Sequence, residues 1–321
     1  MNRPPLNLHF CDLQPSAENF RAAVMDGLGR SPKRLPPKFF YDEQGSRLFD
    51  AITRLPEYYP TRTEISLLRR HGQEIAERLG SGLLLIELGS GSDVKIRVLL
   101  HALHPSAYMP IDISAQHLYR SGLAIAEDFP ELQVHAVCAD YSAPLRLPDV
   151  VHAYPRAAFF PGSSIGNFEP GQAGSLLERI ASMVGPGGRL IIGVDLKKDA
   201  GLLDVAYNDA QGVTAAFNRN LLVRINRELE ADFDLGTFDH HAFYNAEQGR
   251  VEMHLMANSP QQVHINGHRF DFREGEGVHT ENSYKYSVAE FRTLAERAGY
   301  VSEKVWQDER NLFSLHCLRV S

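Results

Sequence analysis

Cysteine is scarce. Cys11, Cys138 and Cys317 are the only thiols in 321 residues, and no two stand in a Cys-x-x-Cys pair. Disulfide frameworks and thiolate zinc sites usually show paired or clustered cysteines, so buried thiols in a reducing compartment fit better than either. Long apolar runs are missing as well; none approaches the ~18 residues of a membrane span. Residues 1–14 lack the apolar stretch of a secretory signal. The expectation is a cytoplasmic chain with no membrane partner. Positive charge is not in excess: 33 Lys and Arg against 40 Asp and Glu leave a formal net charge of −7, which speaks against a nucleic-acid partner. The 14 histidines include no H-E-x-x-H spacing. His240, His241 and His254 fall in alternating segments, where such rings are usually solvated or hydrogen-bonded, so no metal is expected. There is one tryptophan, Trp306, read as sheet packing, and no internal repeat.

What is present is organised around residues 83–93, Leu-Leu-Leu-Ile-Glu-Leu-Gly-Ser-Gly-Ser-Asp. The apolar run shows no alternation, so it reads as a strand buried on both faces. Gly89 and Gly91 break it, and Ser92 or Asp93 caps the helix that follows. A strand, a glycine turn and a helix N-terminus bring free N–H groups close to a ligand without an intruding Cβ. On its own the turn is equally a tight strand–helix connection. A dinucleotide fingerprint needs a third glycine, and Val94 stands there. Instead Glu87 precedes Gly89 by two residues. This acid-x-Gly-x-Gly pattern resembles the first motif of class I methyltransferases, which bind S-adenosylmethionine (SAM). An acid about 20 residues on usually holds ribose hydroxyls, and Asp112 occupies that place.

The rest of the chain alternates around this stretch. Residues 1–35 are Pro-rich at both ends, with a helix expected over 17–28. Residues 38–49 crowd aromatics and charges together. Residues 55–64 set Tyr58 and Tyr59 between Pro56 and Pro60, which reads as an extended turn. The plain alternative is an amphipathic cover whose rings only pack. A helix is expected over 64–79, and the helix over 93–103 carries Val94, Val98, Leu99 and Ala102 on its apolar face. Ser114 caps the next, to 128. A strand over 134–138 leads to Asp140 and Tyr141; in a doubly wound sheet this strand end faces the adenine. After a strand over 157–160 comes the Gly-rich loop 161–168, at a carboxyl end where open sheets bind ligands. A helix over 171–183 and a strand over 189–195 follow. Then the alternation stops. A helix with Phe217, Leu221, Leu222, Ile225 and Leu229 on one face precedes period-two segments. Residues 238–244 and 250–257 read as a hairpin, and Asn266-Gly267 turns a second one. A helix over 288–298 and strands over 301–307 and 312–320 close the first sheet. The fold expected is α/β: a Rossmann-like, mostly parallel sheet with an α+β insertion.

With these segments in view the chain resembles the histidine Nα-methyltransferases of ergothioneine biosynthesis, from about residue 39 onward. The resemblance rests on Tyr41-Asp42-Glu43-x-Gly45-Ser46, on residues 55–62, on residues 87–92, on Gly162-Ser163-x-Ile165-Gly166-Asn167-Phe168, and on Ala210-x-Gly212-Val213-Thr214-Ala215-x-Phe217-Asn218. It implies a class I methyltransferase fold with a SAM domain over 64–198, completed by 287–321. A substrate domain would comprise an N-terminal helical part, 1–63, and the insertion, 199–286. The implied reaction is SAM-dependent Nα-trimethylation of L-histidine to hercynine; separately, the chain is expected to be a monomer. Its small-molecule partners would be histidine and its mono- and dimethyl forms. The motif Glu87-x-Gly89-x-Gly91 would cradle SAM, with Lys95, Asp112, Asp140 and Tyr141 contacting it. Tyr58, Asn167 and Tyr207 would contact the amino acid, the last two at its α-carboxylate. Glu281 and Ser283 would bind the imidazole, and Met253 would wall its pocket. Tyr41, Phe49 and Gly162 would surround the amine, with Tyr41 or Asn167 holding a water that takes its proton.

Three other readings compete: the same chemistry on another amino acid such as tryptophan or a histidine derivative, a nicotinamide-dependent dehydrogenase, and a silent binding subunit. Val94 disfavours the second, and intact Glu87, Gly89, Gly91 and Asp112 disfavour the third.

Overall fold

The computed structural model describes residues 7–13, 17–91 and 93–321. Ser92, one of the two candidate caps, and the Pro-rich residues 1–6 lie outside the described residues. In chain order the elements are β1 (Leu8–Asp12), α1 (Ala17–Leu28), β2 (Lys33–Arg34), α2 (Glu43–Ile52), α3 (Tyr59–Leu79), β3 (Leu84–Leu88), α4 (Asp93–Leu103), β4 (Ala107–Asp112), α5 (Ala115–Asp128), β5 (Gln133–Cys138), β6 (Arg156–Phe160), α6 (Pro170–Val184) and β7 (Arg189–Asp195). There follow α7 (Ala200–Tyr207), α8 (Val213–Leu229), β8 (Phe238–Asn245), β9 (Arg250–Ala257), β10 (Gln261–Ile265), β11 (His268–Phe272), β12 (Gly277–Tyr284), α9 (Val288–Arg297), β13 (Tyr300–Gln307) and β14 (Phe313–Val320). Among the described residues no helix is long and apolar enough to cross a membrane. The chain divides into two compact units, one of Met1–Gln14, Pro60–Lys197 and Tyr284–Ser321, the other of Pro15–Tyr59 and Lys198–Ser283.

The first unit is built on a sheet in the order β1-β5-β4-β3-β6-β7-β14-β13. Pairing is parallel from β1 through β7, and β14 runs antiparallel between β7 and β13. Strand β3 is buried at every position. Its alternate side chains enter different cores: Leu85 packs with Leu68, Ile75, Leu99 and Phe159, whereas Leu84 and Ile86 pack with Met109 and Val137. A strand whose two faces are both apolar cannot alternate with polar residues, hence the unbroken run. Helices α3 and α4 cover one face, and α6 and α9 the other. Strand order reverses between β3 and β6.

Four expectations are corrected. Residues 8–12, placed with the N-terminal helical part, instead form the edge strand β1 beside β5. Extended backbone competes for the sheet edge there, and a short segment carries too little pattern to reveal it. The Tyr58-Tyr59 turn is not extended throughout, because α3 begins at Tyr59 and carries Pro60 in its first turn, where a missing N–H costs nothing. Val94 is 45% exposed, and the buried face of α4 is Ile96, Leu99, Leu100 and Leu103. Each such fully buried side chain contributes roughly 1.5–3 kcal/mol, so the rotated face is the one selected. Ser114 stands at the N-cap of α5 without a side-chain capping bond; Asp112 Oδ1 accepts from its N–H instead, at 2.8 Å.

The second unit carries a sheet in the order β2-β12-β9-β8, with β8 and β9 paired from Phe238↔Ala257 to Asn245↔Arg250. Strands β10 and β11 form a separate hairpin. Asn266 and Gly267 both take positive φ, 48° and 80°, as the expected two-residue turn requires.

Candidate active site

In the first unit the turn after β3 and the loop after β6 leave adjacent strand ends. Gly89 has φ +75°, and a Cβ there would lie 3.4 Å from the hydroxyl of Tyr141. A side chain would therefore be strained and would narrow the cradle. The Gly89 N–H donates to Ile111 O at 2.8 Å, tying the turn to β4. Glu87 is only 1% exposed. The Tyr108 hydroxyl donates to Glu87 Oε2, and Ser90 Oγ lies 3.1 Å from the same hydroxyl. Burial pushes the Glu87 carboxyl up to about 7, against the pull of those hydrogen bonds and of the Lys95 charge. Gly91 O accepts from the His117 ring. Asp112 ends β4, its carboxyl raised by burial. Asp140 Oδ1 accepts from Ser142 N–H at 2.9 Å, and the Tyr141 ring meets Phe160 edge-on at 5.7 Å.

The loop 161–168 is held from below. Glu64, on α3, is wholly buried and its carboxylate lies 2.6 Å from Lys95 Nζ. Both of its oxygens accept from Gly162 N–H, at 3.1 and 2.9 Å. Ser163 takes φ +56° and its Oγ accepts from Asp195 N–H at 2.9 Å. A non-glycine in the left-handed region stores strain that the surroundings must hold. The Asp195 carboxylate meets Lys285 Nζ at 2.8 Å, both side chains 1% exposed. Asn167 ends the short 3-10 turn Ser164–Asn167 that follows.

In the second unit the structure brings together four rings named from the sequence. Tyr41 meets Phe49 at 5.7 Å, Phe49 meets Tyr58 at 6.3 Å, and Tyr58 meets Tyr207 at 6.3 Å, all edge-on. Phe217, read from the sequence as part of the core face of its helix and given no site role, packs against both Tyr41 and Phe49. The Tyr207 hydroxyl donates to Ser283 Oγ at 2.8 Å. Met253 is buried on β9, and its carbonyl accepts from Thr280 Oγ1 at 3.0 Å.

Strand β12 departs from regular alternation where it matters. Residues three apart in a regular strand face opposite sides. Yet His279 Nε2 bonds Asn282 Oδ1 at 2.8 Å. Thr280 Oγ1 donates to Asn218 Oδ1 on α8, while Ser283 Oγ faces Tyr207 on α7. His240, on β8, bonds both Asn218 and Tyr207 O, so those helices lie on one side of the sheet. Residues 280 and 283 thus share that side and 279 and 282 the other, which places the break at Glu281. Glu281 itself is almost wholly buried. His240, expected from the sequence only as a solvated or hydrogen-bonded strand residue, joins this network. Its Nδ1 accepts from Asn218 Nδ2 at 2.9 Å, so Nε2 carries the proton and donates to Tyr207 O at 2.9 Å. Burial holds its pKa below the usual imidazole range, keeping the ring neutral. Glu252, His254 and His279 bring one ligand atom each within 4.8 Å of one another. Arg250 Nε, at 2.9 Å, and Asn245 Nδ2, at 3.0 Å, already bond the Glu252 carboxylate.

The sheet order, with its antiparallel strand between β7 and β13, and the acid-flanked glycine cradle define a SAM-dependent methyltransferase of the α/β class. The Gly89 turn, the acid ending β4 and the Asp140-Tyr141 pair just beyond β5 fit that group: a close backbone approach, a diol acceptor and an aromatic face. More narrowly, the chain belongs to the family of histidine-specific, SAM-dependent methyltransferases, which matches residues 20–320. It is 43% identical over 306 residues to the histidine N-alpha-methyltransferase of Mycolicibacterium smegmatis, covering 94% of each chain. To the enzyme of the same name from Mycobacterium tuberculosis it is 42% identical over 301 residues, covering 92% of this chain and 93% of that one. Ergothioneine biosynthesis protein 1 of Neurospora crassa is 30% identical over 311 residues, which span 90% of this chain and 33% of the longer protein.

Proposed function

We propose that this enzyme transfers three methyl groups to the α-amino nitrogen of L-histidine, giving hercynine, the first step of ergothioneine biosynthesis. The observation that carries the reading is the break in β12, which sets Ser283 against Tyr207 beside a set of aromatic rings. When bound, SAM supplies an electrophilic methyl on a sulfonium. Gly89 and Gly91 give it backbone room, and Asp112 accepts from its ribose hydroxyls. Asp140 and Tyr141 receive the adenine, Lys95 holds its carboxylate, and Glu87 supports the turn from within.

On the substrate side, Glu281 and Ser283 bond the two imidazole nitrogens, and Met253 closes the apolar wall. Tyr58, Tyr207 and Asn167 hold the amino acid, the last two by its α-carboxylate. An α-amino group has a pKa of about 8 and is mostly protonated at neutral pH. It must therefore shed a proton before each transfer; a water held by Tyr41 or Asn167 takes it. Orienting the freed lone pair is worth up to ~7–11 kcal/mol. The product carries a permanent cation, and the faces of Tyr41, Phe49 and Tyr58 stabilise it by about 0.5–2 kcal/mol. Gly162 leaves room as the nitrogen grows.

A net charge of −7 and scattered thiols support a monomeric cytoplasmic enzyme without nucleic-acid or membrane partners. The test is incubation with SAM and a panel of free amino acids, read by mass spectrometry. Histidine should gain one, two and then three methyl groups. Trimethylation of tryptophan with histidine untouched would overturn the acceptor.

A further inference from the structure

We propose that Glu64 is a positioning residue for the methyl donor, fixing the Lys95 ammonium and the Gly162 backbone in one arrangement. The inference rests on the proposed contact between Lys95 and the donor. Glu64 touches neither reacting group; it acts through its partners.

Four elements converge on this carboxylate. It comes from α3, Lys95 from α4, and Gly162 from the loop after β6. The fourth is β7, where a Cβ added at Gly193 would lie 2.1 Å from Glu64 Oε1. No real atom pair approaches so closely, so glycine at 193 is what admits the carboxylate. A buried charge is expensive unless paired and hydrogen-bonded, and here both conditions are met. Such a pair is nevertheless weak as a stabiliser, because desolvation offsets most of the attraction. Its position in the fold is more informative. Lys95 occupies the first turn of α4, where the helix dipole favours anions and opposes a cation. Glu64 offsets that opposition and holds the ammonium at the carboxyl edge of the sheet, beside the strand-order reversal. Neither residue is replaceable there by a simple packing group without releasing the other.

The experiment is calorimetric titration of S-adenosylhomocysteine into wild type, Glu64→Gln, Lys95→Met and the double variant, with a melting curve for each. Glutamine keeps the size and one carbonyl oxygen for Gly162 N–H but removes the charge. Glu64→Gln is expected to bind about tenfold more weakly. The double variant should be no weaker than Lys95→Met alone, because Glu64 acts through the lysine. Should the amide variant not fold, Glu64→Asp retains the charge but falls short by a methylene, and a severalfold loss is expected of it. Wild-type affinity in a Glu64→Gln protein that merely melts earlier would overturn the proposal, as would losses that multiply in the double variant. Wild-type affinity in Lys95→Met would remove the lysine from the donor site and take this inference with it. No readout here depends on which amino acid is methylated, so the choice of acceptor stands or falls separately.

Discussion

Glu281 sits, almost wholly buried, where β12 loses its alternation, and in the proposed function its carboxylate pairs with an imidazole N–H. Removing one partner of a buried charged hydrogen bond costs about 2–5 kcal/mol. Glu281→Ala should therefore lower kcat/KM for histidine roughly 30- to 5000-fold while calorimetric affinity for SAM stays within twofold of wild type. Equal loss of both would make the residue structural. Tyr41 and Tyr58 stood out because they lie in segments dense in aromatics and charge, whereas Tyr207 and Ser283 came from the family resemblance alone. The tertiary partners of Glu64, His240 and Asn218 were not legible, although the segments that hold them were, because those partners are distant in the chain; Glu64 and Gly162 are 98 residues apart. A single acid in the second turn of a helix carries no mark of that reach.

At the scale of elements, most strands and helices were read from periodicity, but α2, α7 and the short strands β1 and β2 were not, and the misreadings have common physical causes. In α4 several apolar residues offered two overlapping stripes, and the sheet behind it chose Ile96 over Val94. At α3 a proline that looks like a breaker is a helix starter when it falls in the first turn. The irregularity of β12 left no trace in residue type; it is fixed by what lies across the sheet. Asn218 is the main clasp, bonding His240, the His254 carbonyl and Thr280 at once. Truncating it strands buried polar groups at about 1–3 kcal/mol each. Asn218→Ala should lower the melting temperature, read by calorimetry, and weaken histidine binding more than SAM binding, since Ser283 is held in register from this side.

Across the whole molecule, pH acts through groups that burial has moved in opposite senses. His240 and His254 are held below their ordinary value of 6.5, and His316 is pushed down to about 3. In the unfolded chain these rings take up protons near 6.5 while the folded protein does not, so stability falls as pH drops below that value. Glu87 works the other way. It ionises near 4.5 when unfolded and near 7 when folded, so its contribution is lost as pH rises through that window. Glu87→Gln mimics the protonated acid. The melting temperature of that variant relative to wild type should therefore climb from pH 5 to about pH 7 and level off above it; a flat difference throughout would place the Glu87 proton elsewhere.

Neither compact unit is a continuous length of chain, and β14, the strand that closes over β7, belongs to the last stretch. During synthesis the open side of β7 stays bare until Phe313–Val320 has left the ribosome, a long wait for an apolar edge able to pair with other nascent chains. A premature stop after α9 would leave that edge permanently uncovered, and the truncated product should collect in inclusion bodies rather than survive as a weaker enzyme.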